Sequence, residues 1–63
     1  MTTAAQAYAA RRATIEAHLS TIDLGLERHE KRQAADARNW GFAGDLAEVE
    51  RLLAEAARIL GAK

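Results

Sequence analysis

Large hydrophobic residues recur at heptad-type spacing over the first half of the chain. Tyr8, Ile15, Leu19, Ile22 and Leu26 are separated by seven, four, three and four residues. These separations bring all five side chains to one side of an α-helix, with polar or small residues around the rest of its circumference. The pattern predicts a long first helix with a narrow apolar seam, which continues into the polar positions His29 and Gln33 and skips Arg12.

A second segment repeats this pattern nearer the C-terminus. Its seam residues are Phe42, Leu46, Val49, Leu53, Ala56 and Leu60. Leu52 and Ile59 widen the seam to three positions in seven, which is typical of a helix that faces a core. The segment therefore predicts a second, shorter amphipathic helix.

The sequence NWGFAGD at positions 39–45 predicts the turn between the two helices, because two glycines lie there in a chain without proline. Gly41 fits a left-handed residue that closes the first helix. Asp45 fits the N-cap of the second helix, and Glu48 three residues later completes a capping box. Gly61 is expected to close the second helix, with Lys63 near its negative end.

These signals predict an all-α fold and one domain over residues 1–63. The first helix is expected at about residues 3–39, the turn at 40–45 and the second helix at about 46–60, as a helix-turn-helix hairpin. One alternative stays open, because Ser20 could cap a new helix and Gly25 adds a local cost in the same region.

The unequal lengths of the two helices predict a second chain. At about 1.5 Å per residue, the second helix covers less than half of the first, so Tyr8, Ile15 and Leu19 lack intramolecular cover. An antiparallel homodimer that forms a four-helix bundle with two-fold symmetry would cover them. The expected core and interface residues are Tyr8, Ile15, Leu19, Ile22, Leu26, Val49, Leu53 and Leu60.

Composition supports the need for a partner. The chain is 49% hydrophobic, but 16 of its 31 hydrophobic residues are alanine, so a core of one chain is small. Without cysteine, neither disulfides nor thiolate metal sites can stabilise it, and oligomerisation remains. No apolar run approaches the length of a membrane span, so we expect a cytoplasmic protein that does not bind membranes.

No catalytic set or phosphate loop is present in the sequence, so we expect no enzymatic activity and no cofactor. His18 and His29 lie eleven residues apart without the spacing of a zinc site. A metal shared across a dimer stays an alternative. The favoured interpretation places Arg12, His29 and Gln33 in a polar layer that sets the register of the bundle.

Two surfaces are candidates for a protein partner. Trp40 lies in the predicted turn, and tryptophan is common among the residues that dominate binding energy. Ala10, Ala17 and Leu24 lie on the side of the first helix opposite its seam, where small side chains permit close approach. Alanine there also serves simply as a good helix former.

Four basic residues suggest a competing function. Arg28, Lys31, Arg32 and Arg38 concentrate near the end of the first helix, where two copies could bind an RNA or DNA backbone. Nine basic and nine acidic residues give a net charge of zero, which favours an ordinary solvated surface with interleaved ion pairs.

The residues NWGFAGDL at positions 39–46 resemble a turn found in small, uncharacterised helical proteins of bacterial plasmids and other mobile elements. There an N-W-G-aromatic-x-G-D-L turn joins a long alanine-rich helix to a shorter leucine-rich one. The match covers roughly the C-terminal two thirds, from about Leu19. This resemblance implies an origin in a plasmid or another mobile element, and it implies no known activity. The plan is also similar to that of the plasmid copy-number regulator Rop, a dimeric RNA-binding hairpin, although no RNA-contact motif matches.

Together these observations predict a non-enzymatic, homo-oligomeric helical module for protein–protein interaction. The alternative is a Rop-like regulatory dimer that binds RNA or DNA.

Overall fold

A computed structural model describes residues 1–61, which form two α-helices and no strand. Helix α1 spans Ala4–Ala35 and helix α2 spans Gly41–Ile59, with residues 36–40 between them. The all-α class and the order of a long and a shorter helix are confirmed. The chain divides in the last turn of α1 into two units, which are described separately below. The predicted role of Lys63 lies outside the described residues.

Helix α1 begins with a reciprocal pair of hydrogen bonds. The backbone N–H of Thr3 donates to Gln6 Oε1 at 2.9 Å, and the backbone N–H of Gln6 donates to Thr3 Oγ1 at 3.1 Å. This is a capping box, and it satisfies amide groups that have no partner within the helix. The pattern Thr-x-x-Gln at residues 3–6 is the sequence signature of this box.

Helix α1 runs through Ser20 without interruption. Two threonines near this point fold their hydroxyl groups back onto the helix. Thr14 Oγ1 donates to the carbonyl oxygen of Ala10, and Thr21 Oγ1 donates to that of Ala17, both at 3.1 Å. These bonds satisfy the hydroxyls within the helix. The alternative of a new helix at Ser20 is therefore excluded.

Helix α1 ends at Ala35, four residues before the expected end near Asn39. Two further turns of backbone follow, in which Asp36 N donates to the Gln33 carbonyl and Asn39 N donates to the Asp36 carbonyl, both at 3.0 Å. The Asn39 side chain adds a bond from Nδ2 to Asp36 Oδ2 at 3.1 Å. Asn39 Oδ1 also accepts a hydrogen bond from Gly41 N, and a local side-chain-to-backbone bond of this kind competes with continuation of the helix.

Helix α2 begins at Gly41, five residues before the expected start at residue 46. The Asn39 side chain provides the cap, because Gly41 N donates to Asn39 Oδ1 at 2.9 Å. A Cβ atom at Gly41 would lie 3.0 Å from that oxygen, so glycine permits the close approach. Trp40 occupies the formal N-cap position and makes no capping bond through its side chain.

Two predictions about this turn are wrong. Gly41 does not close α1 in a left-handed conformation, since Gly61 is the one residue with positive φ in the described part of the chain. Asp45 is not the N-cap, because it lies inside α2 beyond the first helical turn. Because the Asn39 side chain caps the helix at Gly41, α2 begins before Asp45, and residues 41–44 are helical.

Helix α2 ends as predicted. Gly61 has a φ of 72°, and its backbone N–H donates to the carbonyl of Arg58 at 3.1 Å. The backbone N–H of Leu60 donates to the carbonyl of Ala56 at 3.2 Å. A left-handed glycine therefore terminates the helix, because the absence of Cβ removes the steric penalty of this conformation.

Burial is low along the whole described chain. None of residues 1–61 is buried, and most large hydrophobic side chains are exposed. The half-buried residues are Ile22, His29, Phe42, Val49 and Ala57. Over these residues, a single copy therefore provides secondary structure without a closed hydrophobic core.

Candidate interaction surfaces

The α1 stripe is the first candidate surface; it comprises Tyr8, Ile15, Leu19, Ile22 and Leu26. Because α1 is helical over this whole region, the heptad-type spacing brings all five side chains to one side. Four of them are exposed and Ile22 is half-buried. The stripe is narrow, as in the seam of a coiled coil.

Charged residues are sorted along the two borders of the α1 stripe. Glu16 and Asp23 lie along one border, directly after Ile15 and Ile22, and Glu30 continues this border after His29. Arg11 and His18 lie along the other border, at equivalent heptad positions. All five are exposed. The same heptad count that identifies the stripe also gives this order of charges.

Arg12 occupies the stripe position that the hydrophobic pattern skips. Its Nε donates to Glu16 Oε1 at 3.3 Å, so the guanidinium is paired with a carboxylate of the acidic border. Both side chains are largely exposed, and such a pair contributes about 0.3–0.5 kcal/mol within a helix. The pair reduces the local excess of positive charge in the stripe.

The α2 face is the second candidate surface. Its members are Phe42, Leu46, Val49, Leu52, Leu53, Ile59 and Leu60. Phe42 and Val49 are half-buried and the other members are exposed. Hydrophobic residues are more strongly concentrated on one side of α2 than of α1. A face of this width suits packing against more than one neighbouring helix.

Ion pairs stabilise the polar side of α2. Arg51 Nη2 donates to Glu48 Oε1 at 2.6 Å, and Arg51 Nε donates to Glu48 Oε2 at 3.3 Å. Glu55 joins Arg51 at 3.8 Å and Arg58 at 3.7 Å. The hydrogen bond to Glu48 raises the pKa of Arg51 above its ordinary value, so this side chain stays cationic. Polar and apolar sides of α2 are thus clearly separated.

The predicted partner-binding residues of α1 lie away from its stripe. Ala10, Ala17 and Leu24 share the opposite side of the helix, and all three are exposed. Leu24 is 47% exposed, close to the 51% of Leu19 in the stripe. The two leucines therefore form a matched pair that differs in position around the helix.

Trp40 is the most exposed large aromatic side chain among residues 1–61. It retains 86% of its accessible surface at the start of α2, whereas the neighbouring Phe42 is half-buried. Phe42 continues the α2 face, and Trp40 precedes it in the turn. The two aromatic residues consequently have different environments, and Trp40 is the one available to a partner.

The basic residues of the competing function are also exposed. Arg28 and Lys31 lie three residues apart on α1, on the side away from the stripe. Arg32 lies in the last turn of α1 and Arg38 in the segment between the helices. Phosphate contacts need such accessible cations, and all four satisfy this minimum condition.

The two histidines differ in environment, since His29 is half-buried and His18 is exposed. Across the described range 1–61, no three histidine, aspartate or glutamate side chains form a group that could hold a metal ion. Neither helix, over the same residues, contains an apolar stretch long enough to span a bilayer.

The chain matches no protein-family model, and comparisons with curated proteins and with solved structures find no significant match. The plasmid context, the bacterial origin and the cytoplasmic location therefore stay predictions.

Proposed function

We propose that the chain is a non-enzymatic helical interaction module and that its first partner is a second copy of itself. One observation carries the proposal: none of residues 1–61 is buried, although both helices carry an apolar face. Covering a large apolar side chain contributes about 1.5–3 kcal/mol. Association of copies supplies this cover from surfaces that every copy has.

The proposed assembly is a four-helix bundle of two chains. The unequal lengths of α1 and α2, taken alone, are compatible with an antiparallel form, in which the part of each long helix without intramolecular cover would meet the other chain. A parallel form buries the same hydrophobic residues. The two forms differ in which charged borders of the α1 stripe meet.

Sedimentation equilibrium over a range of concentrations tests self-association. The wild-type chain should sediment as an oligomer at micromolar concentration. The variant Leu19→Asp should be monomeric, because a carboxylate in the contact must lose its hydration. The matched control is Leu24→Asp, which places the same charge at a similarly exposed leucine on the opposite side of α1.

The control should retain the wild-type association constant within a few fold. A folded monomeric wild-type protein at micromolar concentration would contradict the proposal. Equal effects of the two variants would show that the α1 stripe is not the contact surface.

A further protein partner would bind at Trp40, supported by the Ala10, Ala17 and Leu24 side of α1. The support for this role is the 86% exposure of Trp40, which leaves its indole accessible. Trp40 is the single tryptophan of the chain, so its fluorescence reports on this position alone. Its emission should stay unchanged while copies associate and should shift towards shorter wavelength when a partner covers it.

The second candidate function is a Rop-like dimer that binds RNA or DNA. Its support is the exposure of Arg28 and Lys31 on the side of α1 away from the stripe, where self-association leaves them accessible. Phosphate binding weakens steeply as salt rises from about 50 to 200 mM. Absence of salt-sensitive binding to duplex DNA and to structured RNA would exclude this candidate.

A further inference from the structure

The two borders of the α1 stripe have opposite chemical character. In heptad terms, Tyr8, Ile15 and Ile22 occupy d positions, while Leu19 and Leu26 occupy a positions. Among the e positions that follow, Ala9 is neutral and Glu16 and Asp23 are acidic; the next e position, after His29, is the acidic Glu30. The g positions carry no acid; they hold Arg11, His18 and Gly25. Side chains at e and g lie beside a coiled-coil seam and determine which orientation of two helices is favoured.

Each orientation brings different borders together. In a parallel pair of helices, a g residue faces the e residue five positions later in the other chain. In an antiparallel pair, e residues face e residues and g residues face g residues. An antiparallel pairing of α1 stripes would therefore bring the acidic border of one copy against the acidic border of the other. Like charges across an interface oppose association.

We infer that the α1 stripe binds the α1 stripe of a second copy in parallel and in register; this rests on the self-association proposed above. Arg11 then faces Glu16 of the second copy, and His18 faces Asp23 of the second copy. Two-fold symmetry forms each contact twice. The charge complementarity identifies a second copy as the occupant of this surface.

Arg12 supports a single register. It occupies the a position before Leu19 and is paired with Glu16 of its own chain at 3.3 Å. One polar residue among apolar a positions lowers stability but specifies alignment in parallel coiled coils. The Glu16 carboxylate has two oxygens, so it can accept from Arg12 in its own chain and from Arg11 of the second copy.

Cysteine cross-linking tests the direction, since the chain contains no cysteine of its own. The two variants are Tyr8→Cys and Leu26→Cys, whose positions lie at opposite ends of the α1 stripe. An equal mixture is equilibrated in glutathione redox buffer, and mass spectrometry identifies the disulfide-linked pairs. Sedimentation of each reduced variant first establishes that it still associates.

The parallel pairing predicts pairs of identical variants, 8 with 8 and 26 with 26, with few mixed pairs. A majority of mixed pairs would establish the antiparallel bundle and overturn this inference while leaving self-association intact. Statistical pairing in variants that associate would also overturn it, because the stripe would then lack a defined direction. Monomeric wild-type protein would overturn the proposed function itself.

A double-mutant cycle provides an independent test that does not change the stripe. Its members are Arg11→Glu, Glu16→Arg and the double variant. Positions 11 and 16 point to different sides of their own helix, so a coupling between them reports on contact between chains. Two exposed pairs per dimer predict a coupling of roughly 2- to 30-fold in the dissociation constant. No coupling in an associating protein would contradict the parallel register.

Discussion

Helices α1 and α2 carry the same kind of seam but differ in how their remaining surface is used. The α1 stripe is narrow, has sorted charges along its borders and faces away from an alanine-rich side. The α2 face is wider, and ion pairs around Arg51 occupy its polar side. A narrow seam suits a pair of helices, whereas a wider face suits the interior of a bundle. The two helices therefore differ in the width of their apolar sides and in the order of the charges beside them.

The largest expected effects come from a charge in each apolar face. Ile15→Asp should abolish association but leave part of the helical circular dichroism, because the 32-residue α1 is long enough to retain some helix alone. Leu53→Asp should remove most of the signal of the 19-residue α2, which depends more on packing. Each substitution should remove about 1.5–3 kcal/mol of hydrophobic stabilisation per side chain. Ala54→Asp is the control outside the α2 face, and equal loss in this control would contradict the assignment.

A smaller effect is expected where backbone conformation requires glycine. Gly61→Ala should destabilise the protein by about 1–2 kcal/mol, because Gly61 has a φ of 72° that an L side chain rarely adopts. Gly44→Ala in the same helix should instead stabilise it by up to about 1 kcal/mol, since open space surrounds that position. Thermal unfolding compares the two variants. The same direction of change in both would show that conformation at residue 61 is not the cause.

Substitutions that remove the caps of the two helices should lower the free energy of unfolding by a few tenths of a kcal/mol to about 1 kcal/mol. Asn39→Ala removes the bond to Gly41 N and the bond to Asp36, so we expect a loss of about 1 kcal/mol and a later start of α2. Thr3→Ala removes one bond of the α1 capping box and should fray only the N-terminus. NMR amide exchange locates each effect. Asn39→Asp keeps an acceptor for Gly41 N; if it weakens α2 as much as Asn39→Ala, the cap is not the cause.

The smallest expected effect concerns the ion pairs on the polar surfaces. Glu48→Gln should lower the free energy of unfolding only slightly, because it removes two hydrogen bonds, at 2.6 and 3.3 Å, to the exposed Arg51. The difference in the free energy of unfolding between wild type and variant should vanish in about 1 M salt, which screens exposed charges. Chemical unfolding at low and high salt measures it. A difference that persists in high salt would indicate a cause other than charge.

Several features could be predicted from the sequence because they depend on neighbours along the chain. The two helices, their seams and the closure at Gly61 follow from periodicity and glycine chemistry. The start of α2 was misplaced because Asn39 and Asp45 are both good capping residues, and their order of preference depends on local backbone geometry. The capping box of Thr3 and Gln6 likewise depends on residues only three positions apart.

The candidate surfaces also have some features that follow from the sequence and others that do not. The α1 stripe and its borders are determined by residue spacing once the segment is helical, so sequence alone places Leu19 and Leu24 on opposite sides. Exposure is different, because it depends on what else packs nearby. The sequence did not determine that Trp40 would remain exposed while Phe42 became half-buried.

The sequence by itself therefore determined the helical class, the order of a long and a short helix and the apolar side of each, since these depend on interactions over three or four residues. Only the three-dimensional structure decided that α1 passes Ser20, that Asn39 caps α2 and that residues 1–61 contain no buried side chain. Capping depends on the exact approach of donor and acceptor atoms, and burial depends on contacts distant in sequence. Neither quantity can be obtained from periodicity alone.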